Sequence, residues 1–106
     1  MTRVTVKIVG EEFSFLAVGH TDFATKEKDI VGAGISSLCM ALDSRLQELE
    51  SVGKATISDR DISDAQFWIS FTGFAAKETL LTVIAGLNSI AGDYPNNLFI
   101  KVVIAS

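Results

Sequence analysis

The sequence predicts a two-layer α+β domain: a mostly antiparallel five-stranded sheet with two helices on one face, in the order ββαββαβ. Three observations carry that expectation. Five short segments alternate apolar and polar residues with the period of a half-buried strand. Two longer segments repeat apolar residues at spacings of three and four, the period of an amphipathic helix. Glycine-rich or polar punctuation separates them, and each helix follows a pair of strands.

In chain order, Arg3 to Val9 places Val4, Val6 and Ile8 on one face and Thr5 and Lys7 on the other. Gly10-Glu11-Glu12 is a short turn. Phe13 to Val18 is the second strand, with Phe13, Phe15 and Ala17 inward; its other face, Leu16 and Val18, is apolar too, as if something covers it. Gly19 frees the chain to turn and leaves His20 at a strand end. Residues 21–28 read as a polar loop around Phe23, and Asp29 is a suitable N-cap. The first helix runs from Ile30 to about Glu50 on a stripe of Val31, Ile35, Leu38, Leu42, Leu46 and Leu49, with Gly53 at its C-terminal cap.

Lys54 to Asp59 reads as the third strand, with Ala55 and Ile57 inward, and the polar run from Arg60 to Asp64 as the turn after it. Gln66 to Thr72 alternates strongly: Phe67, Ile69 and Phe71 face the core, Gln66, Trp68 and Ser70 the wet side. Trp68 there marks a partner surface or, more plainly, packs beneath a loop. The second helix spans about Ala75 to Ala91 on Leu80, Val83, Ile84, Leu87 and Ile90. Gly92 and Pro95 stop it, and Leu98 to Ile104 is the last strand.

Residues 1–106 read as a single domain, and a chain of this length buries ~65% of its unfolded surface on folding. Hydrophobic residues make up 48% with a single proline, which argues for an ordered globule. No apolar run is long enough to span a membrane, and the first ten residues lack a signal-peptide pattern. A single cysteine excludes an internal disulfide and fits a reducing compartment, so a cytoplasmic location is expected. Thirteen acidic and nine basic residues give a net charge of −4 with no basic stripe, which disfavours nucleic acid and membrane surfaces as partners. The same acidity would suit capture of a basic protein.

The segment from Gly19 to Ser36 breaks local rules most. Gly32 and Gly34 in a helix's opening turns each cost roughly 1 kcal/mol relative to Ala, and the loop before them is unusually polar. The pattern Gly19-His20, a short loop, Asp29-Ile30-Val31, then Ala33 and Ser36 resembles the signature of the ribosomal-processing cysteine protease (Prp) family. The likeness extends in element order over most of the chain and includes Tyr94-Pro95. Two positions depart from the signature: the family's nucleophilic Cys falls on Gly32, and a loop glycine falls on Glu27.

The resemblance implies a peptidase that removes an N-terminal extension from a large-subunit ribosomal protein, working as a homodimer. It assigns His20 as general base and Ser36 as a supporting polar group, with Gly32 at the nucleophile position and Asp29 and Gly34 beside the bound peptide. A Cys at a helix start is activated by the first backbone N–H groups and the positive end of the helix dipole. Gly32 supplies no thiol, so an inactive protein is expected. The alternative is a non-catalytic peptide-binding or structural dimeric protein.

Other chemistry has weaker support. Cys39 lies about 10 Å further along the helix, away from the activating N-terminus and beside core residues. Ser36 or Ser37 as nucleophile would need His20 as base, oriented by a third group such as Asp22. His20, Asp22 and Asp29 fall short of a metal-ligand set, and no cofactor is expected.

Overall fold

The computed structural model describes residues 1–19 and 30–105. Its elements are β1 (Thr2–Val9), β2 (Glu12–Val18), α1 (Ile30–Ser51), β3 (Thr56–Ile62), β4 (Gln66–Thr72), α2 (Phe74–Asp93) and β5 (Leu98–Ala105). The predicted order ββαββαβ is the observed one. The strands form one sheet in the order β3-β4-β2-β1-β5. Three neighbouring pairs are antiparallel, and β1 with β5 is parallel, which makes the sheet mixed but mostly antiparallel.

Register puts the apolar alternation of three strands on one face. Val4, Val6 and Ile8 pair with Ala17, Phe15 and Phe13. Those in turn pair with Phe67, Ile69 and Phe71. All of these side chains are buried in a single cluster with Ile35, Leu42, Leu46 and Leu49 of α1 and Leu80, Val83, Ile84 and Leu87 of α2. Both helices therefore pack on that face, and the other face is open. Edge-to-face packing of Phe15 on Phe67, with centroids 5.6 Å apart, stiffens the middle of the core.

Local chemistry sets the boundaries. Gly10, at φ +61, supplies the left-handed residue that the tight β1–β2 hairpin needs. Gly53, at φ +74, ends α1 in a Schellman arrangement, with the Lys54 N–H donating to the Leu49 carbonyl at 2.8 Å.

One predicted boundary fails. The run from Arg60 to Asp64 was expected to be a turn, but β3 continues through Ile62, and the chain reverses only at 63–65. The polar residues are held there by neighbours. Arg60 donates from Nε and Nη2 to the two carboxylate oxygens of Asp43 on α1, at 2.8 and 2.9 Å. Asp59 accepts from Trp68 Nε1 at 2.8 Å, and Asp61 accepts from Gln66 Nε2 at 3.2 Å. A β-bulge at Ser58 shifts the register so that Asp59 and Asp61 lie on the open face while Arg60 reaches the helix.

Candidate active site at the start of α1

One end of the sheet gathers the start of β1, the end of β2, the end of β3 and the starts of β4 and β5. The register fixes this: Val18 stands opposite both Arg3 and Gln66, and Ile62 opposite Phe67. Gly19 closes β2 at that end with φ +87, and a Cβ there would collide with the Met1 carbonyl oxygen. The turn and the close approach both demand glycine. Nearby, Thr2 is 1% exposed, and its hydroxyl has no hydrogen-bond partner among the described residues.

Helix α1 opens at Ile30, and Gly32 is buried in its first turn. Gly34 is half-buried, and a Cβ built on it would lie 3.2 Å from Ile90 Cδ1 of α2, a close contact with the movable end of one side chain. Ser36, one turn beyond Gly32, is half-buried and lines a cavity of about 140 Å³ together with Ile35, Cys39, Met40, Ile62 and Phe67. His20 and Asp29, expected as base and cap, lie outside the described residues, as do Asp22 and Glu27.

Cys39 is the only cysteine in the sequence. It is 5% exposed, and burial pushes its thiol up to about 12. A thiol in that environment stays protonated at neutral pH and is a poor nucleophile. The expectation that it behaves as a small core hydrophobe agrees with its place beside Ile35 and Leu42.

Sequence reasoning missed the cavity. Of its walls, Ile62 fell in an expected turn, and Met40 lies outside the expected apolar stripe of the first helix. Strand β3 had to continue to Ile62 for the wall to form, and nothing in the alternation of Arg60-Asp61-Ile62 signals that.

The family model for cysteine protease Prp matches residues 1–99. No curated protein matches the chain. Among solved structures, SMU.848 from Streptococcus mutans is similar at 20% identity, over 98% of this chain and 95% of that one, with a TM-score of 0.71. The essential ribosomal processing protease Prp from S. aureus, in complex with a substrate peptide, is similar at 20% identity over 96% of this chain and 99% of that one, with a TM-score of 0.69. The same protease with a covalently linked product peptide gives 20% identity, the same coverage and a TM-score of 0.71. These likenesses share the fold described above, and the family match spans nearly all of the sequence. The chain belongs to the cysteine protease Prp family.

Proposed function

We propose that this protein binds a peptide at the start of α1, as a family member whose site lacks the nucleophile and does not cleave. The observation that carries the reading is Gly32: a buried glycine stands in the first turn of α1, where the family signature has its Cys. Cys39, with its thiol at about 12, offers no substitute. His20 is the general base of the ancestral reaction, and Ser36 supports the site. Asp29 and the backbone of Gly34 border the bound peptide. The cavity beside Ser36 supports this reading, since its apolar walls suit an apolar peptide side chain.

The ancestral substrate is the N-terminal extension of a large-subunit ribosomal protein, in the cytoplasm. A basic ribosomal segment suits the net charge of −4. The protein acts as a homodimer. No helix among the described residues is long and apolar enough to cross a membrane. A non-catalytic structural role for the dimer is the second reading, favoured by the apolar residues on the open face of β2.

A peptide-cleavage assay on the chain and on its Gly32→Cys variant tests the proposal, alongside binding of the same peptide. Cleavage only after the substitution, with binding by both, is the expected result. Cleavage by the unmodified chain overturns the inactivity; absence of binding by either protein overturns the peptide site and leaves the structural role.

A further inference from the structure

Two sulfur-bearing side chains line the cavity beside Ser36, and the fold gives them opposite exposure. Cys39 is 5% exposed and stands with Ile35 and Phe67 at the floor, all three within the core cluster. Met40, the next residue of α1, is 67% exposed, and Ile62 at the end of β3 is 40% exposed. These two form the rim, one from the helix and one from the edge strand, around a space of about 140 Å³. Apart from the Ser36 hydroxyl, the lining side chains are apolar.

Exposure decides which sulfur an oxidant reaches. A thiol is oxidised through its thiolate. Burial pushes the Cys39 thiol up to about 12, so near neutral pH it is both shielded and protonated. A thioether has no proton to lose, and its oxidation follows access. We propose that Met40 makes the cavity peroxide-sensitive: oxidation of its sulfur weakens peptide binding, and reduction restores it. The inference rests on the peptide site proposed above and adds its regulation.

A lone pair on Met40 Sδ attacks one oxygen of hydrogen peroxide, and the O–O bond breaks. The transferred oxygen gives its proton to the departing hydroxide, which leaves as water. Sulfur is oxidised to the sulfoxide, the peroxide is reduced, and no proton is taken from the protein. The product is a polar group where an apolar one stood. An apolar peptide side chain seated between Met40 and Ile62 would strip water from the new oxygen, which is costly unless a donor replaces it. Ser36 is the hydroxyl that lines the cavity, and it lies one turn earlier on the same helix face. A bond from Ser36 to the sulfoxide would hold the polar oxygen across the space that the guest needs. Either way the oxidised cavity disfavours an apolar guest.

Affinity of the full chain for a synthetic peptide of the N-terminal extension, before and after a pulse of hydrogen peroxide, tests this. Circular dichroism checks that the fold survives the pulse. Peptide mapping should find added oxygen on Met40, and on Met1, which is 59% exposed, but none on Cys39. The oxidised parent should bind roughly tenfold more weakly, and methionine sulfoxide reductase should restore the affinity. Met40→Leu keeps the size of the side chain and should bind like the parent, with or without peroxide. Met40→Gln carries a permanent polar group and should bind roughly tenfold more weakly with no oxidant at all. An oxidised parent that binds within about threefold of the reduced one refutes the switch. An equal loss in Met40→Leu moves the effect to Met1 and refutes the role of Met40. A loss that the reductase does not reverse refutes it as well. A reduced parent that binds no peptide refutes the peptide site itself, and the switch with it. Should the pulse unfold the chain, Met40→Gln decides alone.

Discussion

The thiol of Cys39 should be chemically silent in the native protein, and its silence can be given a size. Cys39 sits at 5% exposure between Ile35 and Leu42, and desolvation raises its thiol to about 12. At pH 7.5 an ordinary thiol near 8.5 is roughly 10% thiolate, whereas one at about 12 is ionised in roughly three molecules per hundred thousand. Ionisation alone thus slows alkylation by roughly three thousand-fold relative to the unfolded chain, before burial restricts access. Iodoacetamide labelling followed by intact mass should show no adduct on the native protein and one adduct in guanidinium.

The same shift makes stability pH-dependent. The folded-state pKa lies above the unfolded one, so the contribution is fully present below the ordinary thiol value of about 8.5 and is lost as pH rises toward about 12. The slope is ~1.4 kcal/mol per pH unit in that window. A Cys39→Ala variant should lack this component when compared with the parent across the same pH range. In the Gly32→Cys variant the new thiol lies at a helix start, so it should label at pH 7.5 while Cys39 stays unmodified. Native labelling of Cys39 within tenfold of its rate in the unfolded chain would refute the reasoning and reopen it as a nucleophile.

Four further outcomes follow from the packing. Arg60→Ala should cost ~1 kcal/mol, because Arg60 joins β3 to α1 through a two-pronged contact with Asp43. The hydrogen bond from Arg60 holds the Asp43 carboxyl below its ordinary value of 3.8, so this loss should shrink as pH falls below 3.8 toward the folded-state value, measured by urea melts. Thr2→Val keeps the shape and removes a buried hydroxyl that has no partner among the described residues, so thermal melts should show stabilisation of ~1 kcal/mol. Gly34→Ala should stabilise by ~0.5 kcal/mol, since only the mobile end of Ile90 must give way. Gly86→Ala should destabilise by ~1 kcal/mol, because its Cβ would meet both methyls of half-buried Leu38, at 3.0 and 3.1 Å. Chemical denaturation separates the signs of the two glycine variants.

Periodicity made the fold legible. Every helix stripe and the inward faces of β1, β2 and β4 follow from residue spacing, because each element has one face toward a shared core. Strand β3 resisted that reading. It is an edge strand whose polar residues are held by Asp43 on α1 and by Trp68 and Gln66 on the neighbouring strand, and edge strands tolerate the charges that otherwise mark turns. The parallel pairing of β1 with β5 is likewise a product of tertiary packing with no local signal.

The site was legible in part. Gly19 and Gly34 stood out as glycines; the structure gives Gly19 a steric cause in the Met1 carbonyl, whereas Gly34 meets only the movable end of Ile90. Periodicity could assign no role to Gly32; only the family signature did.

That division bears on how the protein should behave. In the function proposed above, binding of a peptide draws on the cavity beside Ser36, the backbone at the start of α1 and the end of β2, and none of these needs a sulfur atom at position 32. Bond cleavage needs the sulfur and a base together. Introducing a thiol at position 32 should therefore change turnover without a large change in peptide affinity, because the interactions proposed to hold the ground state are the ones already present. A peptide Kd within threefold between the parent and Gly32→Cys, with cleavage in the variant only, is the expected pattern. An affinity gain of a hundredfold on adding the thiol would mean that sulfur itself organises the site, and that the parent's groove is not a binding surface in its own right.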